Sequence, residues 1–306
     1  MTTLVFGHTS PDTDSTGSPI IWAWYLNEIK GESAKPVLLG KPNTEAAFVL
    51  KRWNLETPKI IEDVESDQSV VIVDTNNPSE LPANINNANI LSIIDHHRLV
   101  GGLETRGPLE IRIEPLACTA TLMHKMIGKD MARMPEGIKG AMLSCILSDT
   151  LEFRSPTTTD EDKAIAHDLA KDLSIDIGDY AAQMFAAKSD VSAFSDAELL
   201  RMDSKEFELP GTKFRVSVLE TTAPKVVLDR KDSLMKSMET VAAEDGVDQV
   251  LLFVVDILNE EATLLIPNDL VKGLAEKSFG AAPTGDTVVL PGVMSRKKQI
   301  IPNLKV

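Results

Sequence analysis

The chain has 306 residues, 43% of them apolar and 25% charged, a globular composition with enough apolar content to build a core without disulfide staples. Its formal net charge of −15 argues against a nucleic-acid partner, which needs a basic surface. No run approaches the roughly 20 apolar residues of a membrane span, and no secretion signal is legible in MTTLVFGHTSPD, so neither a membrane nor export is expected.

The first half alternates strand and helix signals. TLVFG (3–7) is a short apolar run stopped by Gly7, followed by the polar loop HTSPDTDSTGS. Ser18 as cap and Pro19 as first helical residue predict a helix over 19–30, closed by Gly31. PVLLG (36–40) reads as a strand, and Thr44 is placed to cap the helix EAAFVLKRW. SVVIVD (69–74) and NILSIID (89–95) are continuous apolar strands, the pattern of a parallel sheet covered on both faces. Helices are predicted over 118–128, 136–149, 159–173 and 176–188, with Thr157, Thr158 or Thr159 capping the third of these.

At KSDVSAFSD (188–196) the periodicity breaks, and a hinge linker is expected between a domain at 1–187 and a second at 197–306. The second half carries strands at 213–221, 249–258, 261–267 and 287–291, one long helix from Pro224 to Glu244, and a short helix at 268–279. The fold class is therefore α/β: a doubly wound, mostly parallel N-terminal sheet and a smaller C-terminal domain with a mixed sheet.

Three strand ends in the first half terminate in metal-competent residues: His8, Asp12 and Asp14 after the first, Asp74 at another, His96 and His97 at a third. Open parallel sheets bind ligands at the carboxyl ends of their strands, so the topology brings these positions to one edge. Asp149, at the end of the helix AMLSCILSD, is misplaced for the helix dipole and needs another reason to be there. Two histidines and four aspartates can hold two divalent cations, whose charge would balance the four carboxylates. Mixed imidazole and carboxylate donors suit Mn, Co, Fe or Zn better than Ca or Mg. Cys118 and Cys145 form no CxxC, lie in apolar stretches and read as small buried hydrophobes in a reducing cytoplasm. His124, His167, Trp22 and Trp24 fall outside every motif and read as structural.

The DHH at 95–97, with GHTSPDTDS at 7–15, VDT at 73–75 and SDT at 148–150, resembles the DHH phosphoesterase superfamily. With SRKKQ at 295–299 and DSKEF at 203–207, the whole chain resembles the manganese-dependent (family II) inorganic pyrophosphatases. The resemblance implies that His8 and Asp12 hold one metal, that Asp14, His96 and Asp149 hold the other, and that Asp74 bridges them. It implies a substrate-facing His97 that serves as proton donor or phosphate ligand, an Asp95 that orients a histidine, and phosphate binding by Lys205, Arg296 and Lys297. Two divalent ions, Mn²⁺ foremost with Co²⁺, Zn²⁺ or Mg²⁺ as alternatives, and further Mg²⁺ carried by the substrate are implied as cofactors, as is a homodimer. The expected reaction is hydrolysis of pyrophosphate to two orthophosphates by a water shared between the metals, in a cleft between the domains. The alternatives are an exopolyphosphatase, another DHH-family phosphoesterase, or a catalytically silent phosphate-binding regulator; the absence of a GGGH motif and the acidic charge disfavour the nuclease branch.

Overall fold

The computed structural model describes residues 2–209 and 211–305. The chain divides into two compact units, Met1–Lys188 and Ser189–Val306. Among the described residues no helix is long and apolar enough to cross a membrane.

Unit 1 is built on six parallel strands: β1 (Thr3–Phe6), β2 (Ala34–Leu38), β3 (Lys59–Ile60), β4 (Ser69–Val73), β5 (Asn89–Asp95) and β6 (Glu110–Ile113). Their order is β3-β2-β1-β4-β5-β6, so the winding reverses between β1 and β4, the doubly wound arrangement. Strand residues alternate between two cores. Val5, Val71, Val73 and Ile94 face a helical layer, while Phe6, Ile72 and Ile93 face the other side. The helical layer contains α1 (Thr13–Glu28), α2 (Thr44–Arg52), α3 (Thr119–Ile127), α4 (Glu136–Asp149), α5 (Asp160–Leu173) and α6 (Ile177–Lys188). The second face is closed by Val64, Leu81, Ile85 and Ala88, residues of loops and single 3-10 turns rather than of long helices.

Two local expectations are corrected here. α1 starts at Thr13, not Pro19: Asp12 caps it by accepting from the Ser15 amide at 2.9 Å, and Pro19 lies inside the helix. Asn43 rather than Thr44 caps α2, accepting from the Ala46 amide at 2.7 Å. Thr159 does cap α5, in a reciprocal capping box with Asp162. Trp22, Trp24, Cys118 and Cys145 are buried, and burial pushes both thiols up, so each stays protonated.

Unit 2 is a mixed five-stranded sheet, β11-β10-β9-β8-β7: β7 (Ser204–Leu209), β8 (Thr212–Thr221), β9 (Gln249–Asp256), β10 (Glu261–Leu265) and β11 (Thr287–Pro291). Only β8 and β9 run parallel; β9 is buried along its whole length. One face is covered by α7 (Asp196–Met202), α8 (Pro224–Leu228) and α9 (Lys231–Asp245), the other by α10 (Asp269–Phe279) and the C-terminal turns. The long helix expected over 224–244 is broken at Asp229–Arg230, where the Arg230 guanidinium donates to the Val191 and Phe194 carbonyls and pairs with Asp196 at 2.5 Å. α7 also begins inside the stretch expected to be linker.

The tightest helix contact in unit 1 is that of α4 with Trp53. A Cβ on Gly140 would lie 2.0 Å from the indole, whose Nε1 donates to Tyr180 at 2.7 Å and to Ser144 at 3.2 Å. Gly140→Ala gains about 1 kcal/mol of helix propensity. It must also displace a hydrogen-bonded, buried ring, an overpacking cost of about 1–3 kcal/mol before the loss of those bonds. A net destabilisation of about 1–3 kcal/mol is expected from chemical denaturation; an unchanged midpoint would show that the indole yields freely.

Candidate metal centre and phosphate-binding turn

The carboxyl ends of β1 and β4 form the switch point of the sheet, the crevice where doubly wound sheets take their ligands. His8 leaves β1 after Gly7, which has no room for a side chain: a Cβ there would meet Ser15 Oγ at 2.0 Å. That hydroxyl accepts from the His8 amide at 2.8 Å and locks the loop onto the first turn of α1. Asp12 uses one oxygen as helix cap and turns the other toward His8 Nε2, 3.7 Å away.

Asp14, in the first turn of α1, accepts from Ser18 Oγ at 2.6 Å and from the Thr119 amide at 2.7 Å. Asp74 follows β4 with φ +58°, a left-handed conformation that aspartate tolerates better than most residues. Its carboxylate lies 3.5 Å from His8 Nε2 and 3.3 Å from His96 Nε2 and accepts from Thr119 Oγ1 at 3.2 Å. His96 Nδ1 is 3.1 Å from the Leu116 carbonyl. A carbonyl can only accept, so Nδ1 carries the proton and Nε2 keeps its lone pair for a metal. Asp149 ends α4, and its Oδ2 is buried without a hydrogen-bond partner.

The expected ligands therefore assemble. His8, Asp12 and Asp74 form one group with ligand atoms within 4.8 Å of each other, and Asp14, His96 and Asp149 form another. Asp74 also groups with His96 and His97, so it touches both sides. No lysine or arginine among the described residues forms an ion pair with Asp12, Asp14, Asp74 or Asp149. A closely packed set of carboxylates faced by imidazoles, with an orphaned oxygen and no lysine or arginine partner among the described residues, fits bound divalent cations.

The protein charges alone set the proton affinities. Burial, then the neighbouring Asp14 and Asp12 carboxylates, push the Asp74 and Asp149 carboxyls well up. For His8, burial works downward but the carboxylates led by Asp12 outweigh it and raise the ring. His97 is raised first by its hydrogen bond to Asp95, at 2.9 Å to Nδ1. Asp95 is fully buried and also accepts from the amides of His96 and His97 and from Asn76 Nδ2. The histidine it orients is thus His97, whose other ring nitrogen is left for a ligand. A cavity of about 460 Å³ opens over His8 and His97, walled also by Thr75, Asn77, Glu80 and Arg98.

In unit 2, Lys205 on edge strand β7 and Arg296 and Lys297 of the C-terminal turn line a cavity of about 530 Å³. The local sequence explains the turn. Ser295 caps it by accepting from the Lys298 amide, and Gln299 folds back to accept from the Met294 and Ser295 amides, both at 2.9 Å. Arg296 is held by the carbonyl (2.7 Å) and carboxylate (2.8 Å) of Asp203, while Lys205 and Lys297 make no ion pair among the described residues.

Sequence reasoning missed Thr119, whose amide and hydroxyl bind two of the carboxylates across 105 and 45 residues, and Asn76, which ties Asp95 to the Arg98 carbonyl and the Val100 amide. Neither lies in a motif; only the three-dimensional pairing reveals them. His124 and His167 lie away from the centre; burial lowers His124, and His167 stacks on Phe153 with ring centroids 5.3 Å apart.

Residues 2–148 match the DHH family, N-terminal domain, and residues 182–306 match the DHHA2 domain. The chain is 38% identical over 303 residues, 98% of its length and 97% of the relative's, to a probable manganese-dependent inorganic pyrophosphatase of Lactobacillus acidophilus. It is likewise 38% identical over 303 residues, with the same coverage, to the manganese-dependent inorganic pyrophosphatase of Bacillus subtilis. Among solved structures it resembles a Methanococcus jannaschii protein described as a candidate family II inorganic pyrophosphatase (TM-score 0.61, 32% identity, 98% and 97% of the two chains). An exopolyphosphatase-related protein of Bacteroides fragilis (TM-score 0.52, 14% identity, 98% and 89%) shares the fold.

Asp74→Asn preserves the left-handed backbone but removes the charge. Manganese affinity, read by calorimetry on chelator-stripped protein, should fall at least about tenfold to a hundredfold. The stripped variant should melt higher than stripped wild type. Because the Asp74 carboxyl is raised above its ordinary 3.8, its contribution to stability is complete below pH 3.8 and is lost as pH rises through the folded value. The difference should accordingly open on raising the pH and close below 3.8; equal melting temperatures at neutral pH would contradict the repulsion inferred among these carboxylates.

Proposed function

We propose a reaction scheme for this chain, which belongs to the manganese-dependent (family II) inorganic pyrophosphatases of the DHH family. The chain is a manganese-dependent inorganic pyrophosphatase, and the proposal concerns how its residues split pyrophosphate into two orthophosphates. The observation that carries it is the pair of three-residue ligand groups meeting at Asp74. When bound, the two cations supply an activated water for in-line attack and neutralise phosphate charge.

The protein's own residues do the rest. His8 and Asp12 would hold one cation and Asp14, His96 and Asp149 the other, with Asp74 within reach of ligand atoms on both sides. Asp95 holds His97 by Nδ1 and favours the protonated ring, leaving Nε2–H to donate to the departing phosphate. Arg296, pre-set by Asp203, offers a planar fork to phosphate oxygens, and Lys205 and Lys297 add point charges. In this scheme the ligand groups of unit 1 serve the nucleophile, and the cationic cavity of unit 2 serves to neutralise phosphate charge. Further Mg²⁺ accompanies the pyrophosphate.

The deciding experiment strips the metals, restores Mn²⁺, Mg²⁺, Co²⁺ or Zn²⁺, and measures phosphate release from pyrophosphate, tripolyphosphate, long polyphosphate and a dinucleotide. Pyrophosphate with Mn²⁺ should be preferred; faster turnover of the longer chains would overturn the substrate assignment in favour of an exopolyphosphatase. Arg296→Lys, which keeps the charge and loses the fork, should lower kcat/KM for pyrophosphate about a hundredfold.

The enzyme is further proposed to be a homodimer joined at β6. This strand ends the sheet, its outer edge has no partner strand among the described residues, and Ile111 on it, paired with Ile93 of β5, is 48% exposed. A two-fold axis would pair two such edges and cover both Ile111 side chains. Light scattering should give twice the chain mass, and Ile111→Lys should give a monomer; a monomeric wild type would refute the dimer.

A further inference from the structure

We infer that Glu45 is a positioning residue of the metal centre, setting the spacing of Asp12, Asp14 and Asp149 through the hydroxyls of Thr13 and Ser148; the inference rests on the two-cation reading above. Glu45 lies in the first turn of α2 and is fully buried, yet belongs to none of the ligand groups. Its Oε2 accepts from Thr13 Oγ1 at 2.9 Å and from Ser148 Oγ at 2.7 Å, with Lys188 Nζ at 3.4 Å. Its Oε1 is buried without a partner.

A buried carboxylate with one unsatisfied oxygen is costly, and a core cross-link between two hydroxyls does not need one. What sets this one apart is whom it grips. Thr13 stands between Asp12 and Asp14 at the start of α1, and Ser148 directly precedes Asp149 at the end of α4. Successive side chains on a helix are rotated by about 100°. Fixing Thr13 and Ser148 on one oxygen therefore fixes the rotational phase of both helix ends, and with it the directions in which Asp14 and Asp149 point. These two acids come from helices that also pack together, and Asp14 is held further by Ser18 and Thr119, whereas Asp149 Oδ2 has no partner of its own. Glu45 ties the two helix ends to each other from a third helix.

The test compares Glu45→Gln, Glu45→Ala and the donor double variant Thr13→Val/Ser148→Ala. Manganese titrations by calorimetry on chelator-stripped protein give the two affinities, and electron paramagnetic resonance gives the magnetic coupling between the two ions, which depends on their separation. Glutamine retains an amide oxygen for the two hydroxyls and should stay within about threefold of wild type in both affinities. Glu45→Ala and the donor double variant should each weaken the weaker-bound ion at least about tenfold and alter the coupling. Wild-type affinities and coupling in the donor double variant would overturn the inference, even if its melting temperature fell, because a purely structural cross-link predicts that result. A Gln variant as impaired as the Ala variant would also overturn it, assigning the effect to charge. If Glu45→Ala does not fold, the donor variant decides. Should wild type itself fail to bind two ions, the two-cation reading fails first and the inference with it, an outcome distinct from the others.

Discussion

Four carboxylates are brought to one place with only histidine rings, and no lysine or arginine among the described residues, paired to them, so without a cation their repulsion is relieved mainly by holding protons. Asp12, Asp14, Asp74 and Asp149 repel one another, and burial compounds the repulsion by withholding the water that would screen it. Much of unit 1 serves to enforce this convergence. The reversal of winding between β1 and β4 opens the crevice, the Ser15 hydroxyl clamps the loop carrying His8, and Thr119 spends both its amide and its hydroxyl on two of the acids. A cation inverts the local logic, turning the same repulsion into binding energy.

Unit 2 solves the opposite problem. In a chain of net charge −15, Lys205, Arg296 and Lys297 are gathered about one cavity, and of the two acids that line it, Asp203 and Glu220, Asp203 immobilises the arginine fork. The two units thus offer an anion different means of neutralisation: acids suited to exchangeable cations in unit 1, and fixed side-chain charge on a capped turn in unit 2. The division suits a phosphoryl transfer, where catalysis is largely positioning and charge neutralisation.

The sequence made the centre legible because strand ends are easy to read: an apolar run that stops at an acid or a histidine locates a ligand without any knowledge of long-range contacts. The candidate ligands at Asp74, His96 and the residues after β1 could be picked out for this reason, and the structure brings them together. The helix starts were harder. Ser18-Pro19 is a strong local start signal, yet Asp12 caps α1 while also facing His8, so the capping site and the metal loop coincide. β6 (EIRI) is exposed on nearly every residue and leaves no burial pattern to read, and β7 (SKEFEL) is a polar edge strand. The break before α9 depends on Arg230 reaching carbonyls almost forty residues earlier, a contact with no local signature.

The left-handed backbone at Asp74 has an evolutionary consequence. Glycine, asparagine and aspartate accept such a conformation readily, whereas glutamate does so at a cost. Of the three readily accepted residues, aspartate alone carries a charge able to join two cations. If Asp74 joins two cations as proposed, the conformational requirement and the chemical one intersect in a single amino acid. On the proposed scheme, a lineage with asparagine or glycine at position 74 would satisfy the backbone and lose the chemistry.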